Sequence, residues 1–175
     1  MDDLRDTISD QGNWFESIAS KIPLYKGYKE KEVRREADKL LREHLARLLS
    51  EQLSRAEDVT GQMLTGPGMM NLDEMGRANT RLQTLIDKVK TAAQGYAGLF
   101  DATKIKEDEL DALYEFDHKM ILRVDEIAAA IDSVQVALDG DDSSAIAPTV
   151  RRYMRTITDS ADLFDKRKEA ILGFS

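Results

Sequence analysis

The chain has 175 residues, of which 42% are hydrophobic and 33% charged, with no cysteine and a formal net charge of −8. This length predicts one domain, or at most two small ones, with enough apolar residues to bury a core. The absence of cysteine excludes disulfide scaffolds, thiolate metal sites and cysteine nucleophiles. The negative charge argues against a nucleic-acid-binding protein, because such proteins need a basic face. The scarcity of glycine and proline, together with abundant Leu, Ala, Glu, Lys and Arg, is typical of an all-α protein.

The N-terminal region predicts an amphipathic helix followed by a linker. Residues 1–22 place Leu4, Ile8, Phe15 and Ile18 at helical spacing, although Gly12 interrupts the segment. Residues 23–28 contain Pro and Gly and predict the linker. The acidic start lacks the apolar core of a signal peptide, and no run of 18 apolar residues occurs, so we expect a cytoplasmic protein without a membrane span.

Residues 29–175 predict four long helices. The first covers about residues 29–64, the second starts at Asn71, the third at about residue 103, and the fourth near Ser144, each with apolar residues three and four positions apart. Asn71 precedes Glu74 by three residues, which resembles a capping box. Helices of this length joined by short connections predict an antiparallel four-helix bundle with an extra N-terminal amphipathic helix. The stripe of the first long helix includes Leu41, Leu45, Leu48, Leu49, Leu53, Ala56, Val59 and Met63.

Two short segments predict turns. Residues 65–68, Thr-Gly-Pro-Gly, carry the glycine and proline that end helices. Residues 139–144 begin like a calcium loop, but Ser144 and Val150 stand where an EF-hand loop has glycine and glutamate. We therefore predict a solvated turn whose side chains cap the next helix.

Charge is distributed unevenly along the chain. Residues 24–55 contain nine Lys or Arg against six Asp or Glu, whereas residues 101–142 contain four against thirteen. Segments of opposite charge can attract within a fold or between subunits. The alternative is that both are solvated helix faces, since exposed ion pairs contribute little stability.

The best candidate for metal chemistry is the pair Glu115 and His118. Glutamate and histidine three residues apart share a helix face, and di-iron bundles use two such pairs. The only other histidine, His44, follows Leu41 at that spacing, so the second pair is missing. We therefore predict no cofactor and no enzymatic activity, and Glu115 and His118 remain the ligand candidates of a ferritin-like alternative.

The most distinctive stretch of sequence combines tyrosines with cations near the linker. It predicts a docking surface for an acidic partner or an anionic lipid headgroup. The alternative is that the tyrosines close one end of the bundle while the cations are solvated. The candidate partner-binding residues here are Tyr25, Lys26, Tyr28, Lys29, Arg34 and Arg35.

The same stretch carries a resemblance to a known group. Residues 22–28, Ile-Pro-Leu-Tyr-Lys-Gly-Tyr, followed by Lys31 and Glu32, are similar to the opening of a family of uncharacterised helical bacterial proteins with an I-P-x-Y-K-G-Y-x-x-K-E signature. The resemblance covers about twenty residues. It implies a bacterial cytoplasmic origin and no assigned activity.

The sequence therefore predicts a non-enzymatic helical scaffold or protein–protein interaction module, with an unknown protein or a second copy as its partner. A first alternative is a peripheral membrane protein that uses the N-terminal helix, with Trp14 and Phe15 as interface anchors. Residues 1–23 carry five acids against two bases, so anionic lipid would repel them. The ferritin-like bundle is the second alternative.

Overall fold

The structure, a computed structural model, describes the backbone of residues 31–92 and 107–172 and the side chains of residues 39–92 and 116–167. Within these ranges the fold is all-α, as predicted, and contains no strand. The predicted N-terminal helix and the linker lie outside the described residues. The helices are α1 (Lys31–Gln62), α2 (Leu72–Thr91), α3 (Glu107–Asp139) and α4 (Ile146–Leu172), with 3-10 helices at Gly66–Asn71 and Ser143–Ala145.

None of the four helices, over the parts of the chain that the structure describes, combines the length and the apolar character needed to cross a membrane. Their apolar residues instead recur three and four positions apart, so each helix buries one face. Helix α1 packs on α2 and α3, and α4 packs on the same two helices. The four buried faces form one shared hydrophobic core.

The connection from α1 to α2 has the predicted turn but not the predicted cap. Gly66 has a φ angle of 84°, in the left-handed region that favours glycine. Asn71 is the N-cap residue of α2, but its side chain makes no capping hydrogen bond, so the predicted capping box with Glu74 is wrong. The 3-10 helix runs directly into α2, and the N–H of Leu72 already donates to the carbonyl oxygen of Met69.

The connection from α3 to α4 is the predicted capped turn. The Asp142 carboxylate accepts hydrogen bonds from the hydroxyl of Ser144 at 2.6 Å and from its backbone N–H at 3.0 Å. These two bonds hold the pKa of Asp142 below its usual range, because they stabilise the ionised carboxylate. Pro148 lies in the first turn of α4, where its missing N–H costs no helical hydrogen bond.

Polar contacts between α2 and α4 show that these helices run in the same direction. Arg81 donates to the hydroxyl of Thr158 at 2.8 Å, and Lys88 pairs with Asp165 at 2.8 Å. The second contact lies seven residues further along both helices than the first, so α2 and α4 are parallel.

The connections α1–α2 and α3–α4 accordingly lie at the same end of the molecule, which we call the turn end. The side chain of Gln135 in α3 donates to Gln62 in α1 at 2.9 Å there. The backbone of Gly68 also approaches Leu138 at this end. The starts of α1 and α3 lie at the opposite end.

Replacing either of two glycines at or near the turn end with alanine is expected to change the free energy of unfolding, in opposite directions. A Cβ on Gly68 would lie 2.8 Å from Cδ2 of Leu138 and 3.0 Å from Cγ of Met63. We expect Gly68→Ala to lower the free energy of unfolding by about 1–3 kcal/mol, because the core must shift. Gly61 lies within α1 with nothing within 4 Å of that position, so Gly61→Ala should raise it by about 0.5–1 kcal/mol. Urea unfolding of both variants measures the difference, and a stabilising Gly68→Ala would contradict this packing.

Candidate functional site

The turn end exposes a group of large apolar side chains. Leu64 and Met69 are each 58% exposed, Val136 is 71% exposed, and Met70 is 95% exposed. We call these four residues the turn-end patch. Single exposed apolar residues are ordinary, whereas a contiguous group of them is typical of an interaction surface, so this end of the molecule is a candidate for one.

The local backbone explains why the methionines project from the protein. Gly68 is buried against Leu138 and faces the core. A 3-10 helix has three residues per turn, so the two residues after an inward-facing position point away from the core. Met69 and Met70 occupy those two positions. Methionine is flexible and polarisable, and it is used often at adaptable binding surfaces.

Carboxylates are frequent in the two connections that form the turn end. Residues 60–75 and 135–150 contain five carboxylates and no Lys, Arg or His, and the next cations along the chain are Arg77, Arg151 and Arg152. Because the five carboxylates outnumber these three cations, the charge here is negative on balance, which favours cationic groups as neighbours of this surface. The carboxylates are Asp73, Glu74, Asp139, Asp141 and Asp142.

A second surface lies toward the opposite end, where the last turn of α2 meets α1. It is a groove of about 550 Å³, which we call the cationic groove. Four cations line it against one carboxylate, Glu43. A concave surface with this charge can accept carboxylate or phosphate oxygens. The cations are Lys39, Arg47 and Lys90, which are exposed, and Arg42, which is only 5% exposed.

Polar contacts on α1 position the side chains of the cationic groove. Arg47 forms an ion pair with Glu51, one turn further along α1. Its other terminal nitrogen lies 3.1 Å from Nδ1 of His44. His44 is therefore a half-buried neighbour of the groove cations.

A buried ion pair joins α3 to α4. Nε of Arg167 donates to Oδ1 of Asp117 at 3.2 Å, and both side chains are almost fully buried. Removing two charges from water costs free energy that their attraction and hydrogen bonds must offset. This pair therefore fixes how α3 and α4 pack rather than offering groups to a ligand.

A hydrogen-bonded relay joins three helices closer to the turn end. The phenol of Tyr153 donates to Oδ1 of Asn79 at 3.2 Å, and the amide of Asn79 donates to Thr60 at 2.9 Å. Burial raises the pKa of Tyr153 well above its ordinary value, and the Glu57 carboxylate adds to this effect. The relay gives the buried hydroxyl of Tyr153 a partner.

The raised pKa predicts a loss of stability in alkaline solution. The folded protein holds the Tyr153 proton more tightly than the unfolded chain, so this contribution is complete below about pH 10 and declines as pH rises further. We expect Tyr153→Phe to cost about 0.5–1.5 kcal/mol at pH 7 and to reduce the alkaline loss. Urea unfolding at pH 7 and pH 11 measures both effects. Equal alkaline losses in the variant and the parent would contradict the raised pKa.

The structure describes only some of the site residues predicted from the sequence. Arg34 and Arg35 lie in the first turns of α1, where only the backbone is described, and the same holds for Glu115 in α3. His118 lies half-buried on α3, close to the start of its described side chains. The described residues contain no group of three or more His, Cys, Asp or Glu that could hold a metal ion. The predicted residues Trp14, Phe15, Tyr25, Lys26, Tyr28 and Lys29 lie outside the described residues.

Comparison with known proteins gives no further assignment. No family model, curated protein or solved structure matches the chain.

Neither surface was predicted from the sequence. The apolar pair Met69 and Met70, directly after a glycine–proline–glycine turn, was a usable signal for the turn-end patch. The cationic groove had a weaker signal, because Lys90 joins the cations of α1 only through the packing of α2 on α1.

Proposed function

We propose that the chain is an antiparallel four-helix bundle that acts as a non-enzymatic scaffold or protein–protein interaction module. It contacts its partners through the ends of the bundle rather than through a site in the interior. The observation that carries this proposal is the turn-end patch, where Met70 is 95% exposed.

The composition of the interior supports a structural role for the core. The buried side chains between the helices are almost all apolar and pack in one cluster. Apart from Arg42 at the cationic groove, the buried polar side chains in the described part of the chain are the Arg167–Asp117 pair and Ser160, which donates to a carbonyl oxygen of its own helix. Groups held in this way stabilise packing and do not converge on a common point.

Exposed apolar area supports association with another protein. Aromatic residues and methionine are enriched in the centres of interfaces, where their burial excludes water. Methionine side chains adapt their shape to a partner, and carboxylates at the rim select for partners with matching cations.

The size of the protein in a cell extract tests this proposal. We expect the parent to elute on size-exclusion chromatography well above the size of a 19.7 kDa chain. Met70→Ser should shift it toward the size of the free chain, because burying a methionine contributes about 1.5–3 kcal/mol. Leu122→Ser is the matched control, since it removes an exposed apolar side chain from the outer face of α3.

Two outcomes would overturn the proposal. One is elution of the parent as a free chain in every extract. The other is a parent that floats with phosphatidylglycerol–phosphatidylethanolamine vesicles while Met70→Ser does not, because the patch would then be a membrane anchor.

A further inference from the structure

The two surfaces of the molecule carry opposite charge. At the turn end, Met69 and Met70 are exposed in a connection that is followed by the carboxylates Asp73 and Glu74. The cationic groove is concave, and the stems of its cations and Ala46 give it an apolar lining. We propose that the turn-end patch of one copy docks into the cationic groove of a second copy. This inference rests on the proposed interaction function and names its partner.

A single molecule cannot make this contact with itself. Arg42 lies near the start of α1, and the turn end begins where α1 ends at Gln62. At 1.5 Å per residue, about 30 Å of helix separates the two surfaces. The helix holds them apart, so a groove can receive only the turn end of another copy.

Cations of the groove can pair with carboxylates at the turn end of a second copy. Lys39 and Arg47 form ion pairs with Glu43 and Glu51, yet each keeps its side chain more than half exposed, and Lys90 is exposed at the end of α2. Docking places these cations beside Asp73, Asp139 or Asp141 of the second copy. The same charges repel two turn ends or two grooves, so contact between like surfaces is disfavoured.

The contact joins two different surfaces, so it does not close on itself. After two copies dock, one turn end and one groove remain available. A heterologous contact of this kind produces open chains or rings rather than symmetric dimers. Because the two surfaces lie toward opposite ends of the molecule, we expect open head-to-tail chains.

Sedimentation velocity of the purified full chain tests the inference. We expect the mean mass of the parent to rise with protein concentration at low salt and to fall as salt screens the charges. Met70→Ser and Lys90→Glu should each require at least about a tenfold higher concentration to associate. Leu122→Ser and Lys166→Glu are matched controls, because they make the same chemical changes outside the two surfaces, and they should sediment like the parent.

Mixing the two variants gives a sharper result. Met70→Ser retains its groove, and Lys90→Glu retains its turn end. At concentrations where neither variant associates alone, a mixture should therefore form a one-to-one dimer and no larger assembly. Thermal unfolding of each variant checks that the fold is intact, which we expect because both replaced residues are exposed.

Three results would overturn the inference. The first is a parent that sediments as a monomer at every concentration and salt. If the parent nevertheless elutes as a larger assembly in extracts through Met70, the interaction function stands and the second copy is the wrong partner. The second is association that both variants retain. The third is a mixture that forms no dimer.

Discussion

Replacing Ile127 with aspartate is expected to unfold the protein or leave it only marginally stable. Ile127 lies in the middle of α3 and is fully buried in the shared core. The variant loses a buried apolar side chain and places a carboxylate where no partner is available. Either change costs several kcal/mol, which is comparable with the 5–15 kcal/mol total stability of a typical domain.

The exposed position Leu122 on the same helix provides the control. Leu122 is 46% exposed, so Leu122→Asp leaves its carboxylate in contact with water and should cost far less. Thermal unfolding followed by circular dichroism at 222 nm compares the two variants. If Ile127→Asp melted like the parent, the buried face of α3 would be assigned incorrectly.

Breaking the Arg167–Asp117 pair is expected to have the second largest effect. Asp117→Ala removes the carboxylate that accepts from Nε of Arg167, while the guanidinium stays only 1% exposed. The guanidinium then stays buried without the hydrogen bond and the opposite charge of Asp117. Removing one partner of a buried ion pair typically lowers the free energy of unfolding by about 3–5 kcal/mol.

A double variant separates the pair from the packing around it. In Asp117→Leu with Arg167→Met, apolar groups replace both charges, so no charge of this pair is left buried. We expect the double variant to be more stable than Asp117→Ala, because isolated buried charges cost more than apolar replacements. Urea unfolding of the parent, Asp117→Leu, Arg167→Met and the double variant gives the coupling free energy. Losses that simply add would contradict a direct interaction between the two side chains.

The helical part of the fold could be predicted because it follows from local patterns. Apolar residues three and four positions apart predicted four long helices close to those observed. The pattern does not tell which of two adjacent apolar residues is the more deeply buried. Leu48 and Leu49 both belong to the predicted stripe, but Leu49 is almost fully buried while Leu48 lies half-buried at the edge of the core. Consecutive residues differ by about 100° around a helix, so tertiary packing decides which one faces inward.

The candidate surfaces were harder to predict because they depend on how separate elements meet. Val136 and Met70 come to one end only because both connections between helices lie there. Lys90 joins Arg42 at one groove only because α2 packs along α1. The missing cap at Asn71 has a local cause, since a 3-10 helix replaced the extended residue that a capping box requires.

The proposed function requires the turn end of this protein to contact other protein molecules. Photo-crosslinking in cells tests it most directly, with a crosslinking amino acid at position 70 and a control at position 54, an exposed site on α1. We expect position 70 to give a discrete covalent protein adduct of fixed mass, and position 54 to give none. Two results would contradict this contact: no adduct from position 70 after the crosslinker is activated, or equal amounts of adduct from both positions.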